Sequence, residues 1–333
     1  MQDLKLALVT AEFDPFAIAQ LQALGYVVQQ AGWGQTRHAL SEEELSTLAM
    51  HAALLIVEVE QVSARVIVAA PKLEVIATCR AGPVNVDVAA ATARGIPVLT
   101  TPARNSDSVA DFAVGVMVSL CRNIHRAERH LRQNGWMVCG DELPYFHFRG
   151  PEIKGKTLGL VGCGAIGRGF AQRVRGFDMQ VLVSDPYIEQ ASLGDLGRLV
   201  SLETVLGQAD FLSIHVPATP ETRGILNADR LALMKPTAYL INTARAEVID
   251  QDALFDALAS GRLAGAALDV FWNEPEIDPR WFTLDNVLLT PHLGGAANEV
   301  KVHHSAMIIK DLEALRAGNL PDRVANPEAL TLT

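Results

Sequence analysis

No excess of basic residues marks this chain: 28 Lys and Arg stand against 38 Asp and Glu, a formal net charge of −10. Binding to a nucleic-acid backbone needs clustered cations, so no nucleic-acid partner is expected. Cysteine is scarce and scattered. Cys79, Cys121, Cys139 and Cys163 contain no CxxC pair, and only Cys121 with His125 falls at helical ligand spacing. That pattern argues against a zinc site and a disulfide framework, and for a reducing cytoplasm. Long apolar runs are missing as well. The longest, Phe112 to Cys121, has about half of the ~20 residues that a membrane-spanning helix requires, so no membrane association is expected. The start runs from Met1 through Leu4 and Lys5 directly into Leu6-Ala7-Leu8-Val9, too short and too weakly basic for a secretory leader. Internal repeats, low-complexity tracts and long charge runs are absent too.

What is present is the composition of a packed globular protein, 49% hydrophobic and 20% charged over 333 residues. A single core rarely grows to that size, so two domains with a cleft between them are expected. Short apolar runs at Leu6–Val9, Val27–Gln29, Ala53–Val57, Val75–Thr78 and Val98–Thr100 read as strands with helical segments between them. Such alternation implies parallel pairing through right-handed crossovers. Ser108 to about Gln133 carries an apolar helical face of Val109, Phe112, Ala113, Val116 and Leu120 and reads as one helical run. Asn134–Gly155 has little periodicity and reads as an irregular connection. Six further strands follow at Leu158–Val161, Val181–Ser184, Phe211–Ile214, Ala238–Ile241, Ala264–Leu268 and Val287–Leu289, a number that suits a dinucleotide fold. A last helix, about Ala296–Ala317, is expected to return to the first domain. The predicted architecture is therefore α/β, with two doubly wound parallel-sheet domains, the first interrupted by the second. Residues 1–102 and 296–333 form the first, and 103–295 the second.

Gly162-Cys163-Gly164-Ala165-Ile166-Gly167 follows the strand Leu158–Val161 and opens the helical run Ile166–Val174. In that context the first glycine permits a tight turn, the second admits a pyrophosphate to the backbone, and the third allows close helix packing. The N–H groups of the helix start, at Ala165 and Ile166, face the phosphates. Asp185 ends the next strand, 18 residues beyond Gly167, where a carboxylate accepts hydrogen bonds from ribose hydroxyls and repels a 2′-phosphate. NAD is therefore expected over NADP. The Cys163 thiol reads as a small buried spacer.

Three further runs each lie just past a predicted strand: Ile241-Asn242-Thr243-Ala244-Arg245, then Asp269-Val270-Phe271 leading to Glu274-Pro275, then Thr290-Pro291-His292-Leu293-Gly294-Gly295. The carboxyl ends of parallel strands line the crevice where such sheets bind ligands. Reduction of a 2-keto acid needs a cation to hold the carboxylate and polarise the ketone, and an acid to protonate the developing alkoxide. Arg245 and His292 are of those types. Glu274, bonded to the far nitrogen of His292, would fix its tautomer and favour imidazolium.

Together with Asp185-Pro186-Tyr187, Ser213-Ile214-His215-Val216-Pro217, Asn85-Val86-Asp87, Gly95-Ile96-Pro97 and Thr101-Pro102, these runs closely resemble the D-isomer-specific 2-hydroxyacid dehydrogenases over nearly the whole chain. The resemblance implies a Rossmann NAD-binding domain, a discontinuous flavodoxin-like substrate domain, and Arg245, Glu274 and His292 as catalytic residues. It implies cofactor contacts at His215, Val216, Pro217, Thr243, Ala244, Asp269 and Gly294 besides the glycine loop. It also implies a substrate-carboxylate loop at Arg80, Ala81 and Gly82, with Arg80 adding charge for a phosphate or second carboxylate, and a homodimer built through the nucleotide domain. Ala246, Ala81-Gly82-Pro83-Val84 and Ala297 depart from the usual pattern and bear on the substrate, not the fold. The Gly-Pro-Val-Asn-Val-Asp run is most similar to a phosphoglycerate-dehydrogenase-like branch. The chain ends soon after its returning helix, so allosteric serine control is not expected. The expected partner is thus a small 2-hydroxy or 2-keto acid of phosphoglycerate, glycerate or sugar-derived type. The alternatives are a glyoxylate or hydroxypyruvate reductase, and a non-enzymatic NAD-sensing corepressor-like protein.

Overall fold

The computed structural model describes residues 5–138 and 142–331. The chain divides into two compact units, one built from everything up to Asn105 together with the chain from Ala297 onward, the other from Ser106–Ala296.

In the first unit, strands β1 (Lys5–Val9), β2 (Tyr26–Gln30), β3 (Ala52–Val57), β4 (Val75–Thr78) and β5 (Val98–Leu99) form a fully parallel sheet in the order β2-β1-β3-β4-β5. This is the flavodoxin-like strand order. All six residues of β3 and all four of β4 are buried, as expected of central strands covered on both faces. Helices start where the sequence supplies caps. Ser41 and Glu44 form a reciprocal capping box ahead of Glu42–Ala49. The returning helix is Val300–Arg316, and its Ile308, Ile309 and Leu312 pack with Ala7, Val9, Leu21 and Leu54 in one apolar cluster.

The second unit holds β6 (Thr157–Val161), β7 (Gln180–Ser184), β8 (Arg198–Leu199), β9 (Phe211–Ile214), β10 (Tyr239–Asn242), β11 (Gly265–Leu268) and β12 (Val287–Leu289). They pair in the order β12-β11-β10-β9-β6-β7-β8, all parallel. Six of these seven match strands expected from the sequence. The seventh, β8, has two residues, neither buried, and so carries no apolar signal. The long helical run also differs from expectation. It breaks into Ser106–Cys121 and Ile124–Asn134 because Asn123 takes a left-handed conformation, φ 54°, which asparagine tolerates better than most residues. The expected irregular connection contains a one-turn helix, Pro144–His147. Its residues 139–141, with Cys139, lie outside the described residues.

Register places the loops of the second sheet. Ser184, Val161, Ile214, Asn242, Leu268 and Leu289 align across it as one row. The residues that leave the sheet next, Asp185, Gly162, His215, Thr243, Asp269 and Thr290, therefore emerge side by side at its carboxyl edge. Among the described residues, no helix is long and apolar enough to cross a membrane and no cluster of His, Cys, Asp and Glu suits a metal ion.

Candidate active site

The glycine loop is shaped by what cannot fit in it. Gly162 has φ 88°, and a Cβ there would sit 2.7 Å from Val216 Cγ1 and 2.9 Å from the His215 carbonyl oxygen. A Cβ on Gly167 would lie 2.7 Å from the Gly162 carbonyl oxygen, so this position holds the helix against the loop. Gly164 differs: nothing lies within 4 Å of a Cβ built there, and it caps the helix Ala165–Val174 with no side chain over the first N–H groups. An open glycine before bare helical N–H groups is the arrangement that accepts a pyrophosphate.

Asp185 is bound into the loop. Its Oδ2 accepts from the Cys163 N–H and its Oδ1 from the Tyr187 N–H, both at 2.9 Å. Two strands along the row, His215 bonds through Nε2 to Ser213 Oγ at 3.0 Å, while its buried Nδ1 has no partner among the described residues. Burial pushes this imidazole down to about 4, so it is neutral near pH 7 and unsuited to proton transfer there. The buried Thr243 Oγ1 likewise lacks a partner among the described residues. Native proteins seldom leave buried polar atoms unpaired. Two such atoms beside an open glycine loop fit a polar ligand that completes them, and these residues suit a nicotinamide dinucleotide.

Asn242, fully buried at the end of β10, shapes the next turn. It donates from Nδ2 to the Arg245 carbonyl and accepts at Oδ1 from the Ala244 N–H, at 2.9 and 3.0 Å. This brace presents Arg245, whose side chain is exposed and makes no ion pair among the described residues. Glu274 and His292 are in direct contact, Oε2 to Nδ1, at 2.8 Å. The other carboxylate oxygen of Glu274 accepts from the Phe271 N–H at 2.9 Å. Burial raises the Glu274 carboxyl, but the bonds from His292 and Phe271 and the charges of His292 and Arg245 outweigh it and hold the group below its usual range. It is therefore anionic at neutral pH.

His292 adopts φ 55°, an uncommon conformation for a residue with a Cβ and one that needs surrounding support. Asp269 supplies it. This buried carboxylate accepts from Thr290 Oγ1 at 2.6 Å and the Leu293 N–H at 2.7 Å through Oδ1, and from the Gly294 N–H at 2.8 Å through Oδ2. A Cβ on Gly294 would lie 3.0 Å from Asp269 Oδ2, so glycine is what allows this approach. Asp269 and Gly294 thus brace the histidine loop. Sequence reasoning missed Asn242 and Thr290, which only their place inside a motif and at a strand end could have marked.

The expected substrate loop belongs to the first unit. Arg80 follows β4 by two residues; its carbonyl accepts from the Thr101 N–H at 2.7 Å and its Nε donates to the Glu58 carbonyl at 2.6 Å. Buried Asn85 closes the loop by accepting from Thr78 Oγ1 and donating to the Glu60 carbonyl, each at 2.9 Å. Among the described residues, the N–H groups of Arg80, Ala81 and Gly82 donate to no protein acceptor. Successive unpaired amides of this kind form an anion-binding concavity.

A family model for the D-isomer specific 2-hydroxyacid dehydrogenase NAD binding domain matches residues 114–294. A glyoxylate reductase of Thermofilum pendens is 41% identical over 87% of this chain and 85% of its own length. A D-3-phosphoglycerate dehydrogenase of Mycobacterium bovis is 40% identical over 82% of this chain, which spans about half of that relative, 51%. Among solved structures, the TT0316 protein of Thermus thermophilus superposes with a TM-score of 0.80 at 32% identity, covering 96% of this chain and 99% of that one.

Proposed function

We propose that this chain, which belongs to the D-isomer specific 2-hydroxyacid dehydrogenase family, interconverts a small D-2-hydroxy acid and its 2-keto acid. A bound nicotinamide supplies or accepts the hydride. His292 donates a proton to the forming alkoxide in reduction and removes it in oxidation, through Nε2, since Nδ1 is engaged by Glu274. Glu274 keeps that ring oriented and stabilises its charged form. Arg245, which forms no ion pair among the described residues, holds the substrate carboxylate and polarises the carbonyl. The observation that carries this reading is the 2.8 Å contact between Glu274 and His292. The test is a panel of 2-keto acids with NADH and NADPH in parallel. A His292→Ala variant should lose at least about 10²-fold in turnover while still binding NADH. Turnover equal to that of the parent would remove His292 from its role.

Asp185, beside the adenosine end of the glycine loop, favours NAD over NADP, as a fixed carboxylate repels a 2′-phosphate. The amides of Arg80, Ala81 and Gly82 are proposed to bind the substrate. Arg80 makes no ion pair among the described residues, and its charge favours an acid with a second anionic group, of the phosphoglycerate-like kind. A glyoxylate or hydroxypyruvate reductase is the second reading, favoured by the 41% identity to the Thermofilum enzyme. Arg80→Gln separates the two. It should lower kcat/KM for a phosphorylated keto acid by about tenfold or more and leave glyoxylate nearly unchanged. A homodimer is proposed on the strength of exposed Trp136, Met137, Leu143, Tyr145 and Phe146, which crowd one short segment of the nucleotide-binding unit, and a cytoplasmic location on that of the free, buried Cys79, Cys121 and Cys163. Light scattering would return the monomer mass if the dimer is wrong.

A further inference from the structure

At the amino ends of the strands, opposite the edge that carries the glycine loop, the second unit has a cavity of about 360 Å³. Register builds its floor. Leu158, Phe211, Tyr239 and Gly265 form one row across β6, β9, β10 and β11. Phe211 and Tyr239 stack with centroids 5.5 Å apart and planes 15° from parallel. Pro151, Pro236 and Ala264 add apolar wall, and the polar groups facing the cavity come from Lys156, Asp210, Thr237 and Tyr239.

Lys156 and Asp210 are the charged groups lining this cavity, and they do not pair with each other. Asp210 is already engaged: Oδ2 accepts from the Thr157 N–H and Oδ1 from Lys235 Nζ, both at 2.9 Å. Burial raises its carboxyl, but those two bonds and the nearby charges of Lys235 and Lys156 bring it below the usual range. One carboxylate therefore faces two ammonium groups. Lys156, partly buried, makes no ion pair or side-chain hydrogen bond among the described residues. A mostly apolar, aromatic-floored cavity with one uncompensated cation has the make-up of a small-molecule site and lies within the usual size range of about 300–1,000 Å³. An uncharged apolar guest would leave the ammonium unpaired. An inorganic anion would leave the aromatic and proline walls unused.

We infer that this cavity is a second ligand site, distinct from the dehydrogenase centre, that takes a small aryl carboxylate, its ring against Tyr239 and the Pro151 and Pro236 walls and its carboxylate on Lys156. The site is built wholly from residues 151–264 of the nucleotide-binding unit, and it does not depend on the chemistry proposed at His292. Protein that turns over no keto acid and still binds the probe leaves this inference standing.

The test uses indole-3-acetate and benzoate as probes and indole as the uncharged control, titrated by calorimetry with the dinucleotide site saturated by NADH. The expected dissociation constant for indole-3-acetate is on the order of 0.1–1 mM, with indole at least about tenfold weaker. Lys156→Gln should weaken the acid about tenfold while leaving indole unchanged, and Ala264→Trp, which fills the cavity, should abolish both. Thermal unfolding and NADH affinity of the variants establish that each is folded. Absence of saturable binding overturns the inference. So does displacement of the probe by NADH, or an affinity that neither substitution alters.

Discussion

Nδ1 of His292 and Oε2 of Glu274 lie 2.8 Å apart, and because the carboxylate is held in its anionic form, the ring proton between them belongs to nitrogen. That leaves Nε2 as the nitrogen able to exchange a proton with substrate. Removing the charge without the shape is the discriminating change. Glu274→Gln should lower kcat for keto-acid reduction by about 10–100-fold, as a neutral amide supports imidazolium less well than a carboxylate. Turnover equal to that of the parent would mean that the Glu274 charge plays no part in the proton transfer.

Asp269 gives a prediction of a different kind. Its three acceptor bonds all go to the loop that holds His292 at positive φ. Asp269→Asn turns one acceptor into a donor facing another donor, a loss of about 1–3 kcal/mol in a buried setting. The loop should loosen. Turnover should fall and the melting temperature should drop, which kinetics and calorimetry on one sample would read together. A normal Tm alongside weaker NADH binding would point instead to direct cofactor contact.

Asp185 sits where cofactor choice and loop shape meet, since it also receives the Cys163 and Tyr187 N–H groups. Asp185→Ser should shift the NADPH-to-NADH ratio of kcat/KM by about tenfold or more toward NADPH. Activity with NADH should fall as well, because two loop bonds weaken. If the ratio stays put, the carboxylate does not select the cofactor.

Acid should destabilise both units. His215 in the second and His304 in the first are buried and, with burial the largest cause in each, pushed down to about 4. The Arg104 charge also disfavours a protonated His304. Arg104 Nη1 lies 2.9 Å from Nδ1 and can only donate, so Nε2 carries the proton and donates to the Glu12 carbonyl at 2.7 Å. Unfolded histidine titrates near ~6.5. Between that pH and about 4, the unfolded chain binds protons that the folded one refuses. The stabilisation is complete above the upper limit and lost as pH falls through the window, by up to about 3 kcal/mol per histidine. Urea midpoints measured across that range should fall with pH, and His304→Gln should flatten the slope for the first unit. Midpoints that do not move would contradict the buried neutral state.

The sheet interiors were legible in the sequence because central parallel strands must be apolar on both faces, as in Ala52–Val57. The glycine loop was legible for a related reason: glycine at Gly162 and Gly167 answers a steric demand that other residues fail. Less was visible where the signal is not local. Strand β8 consists of Arg198 and Leu199 and is recognised only by its pairing with β7. The break at Asn123 depends on one backbone torsion inside an otherwise helical pattern. Among site residues, the contact of Glu274 with His292 followed from chemistry. The bracing by Asp269 spans 21 to 25 residues of sequence and became evident only once register had set the strand ends side by side.

The helix Val300–Arg316 contributes Ile308, Ile309 and Leu312 to the core around β1 and β3. During synthesis the ribosome therefore delivers the opening sheet long before the segment that seals it. The middle of the chain can complete its own fold while the earlier-made part still presents a bare greasy face. Chaperone demand should peak in that interval, and a message truncated before codon 300 should yield a nascent product that aggregates through its oldest residues.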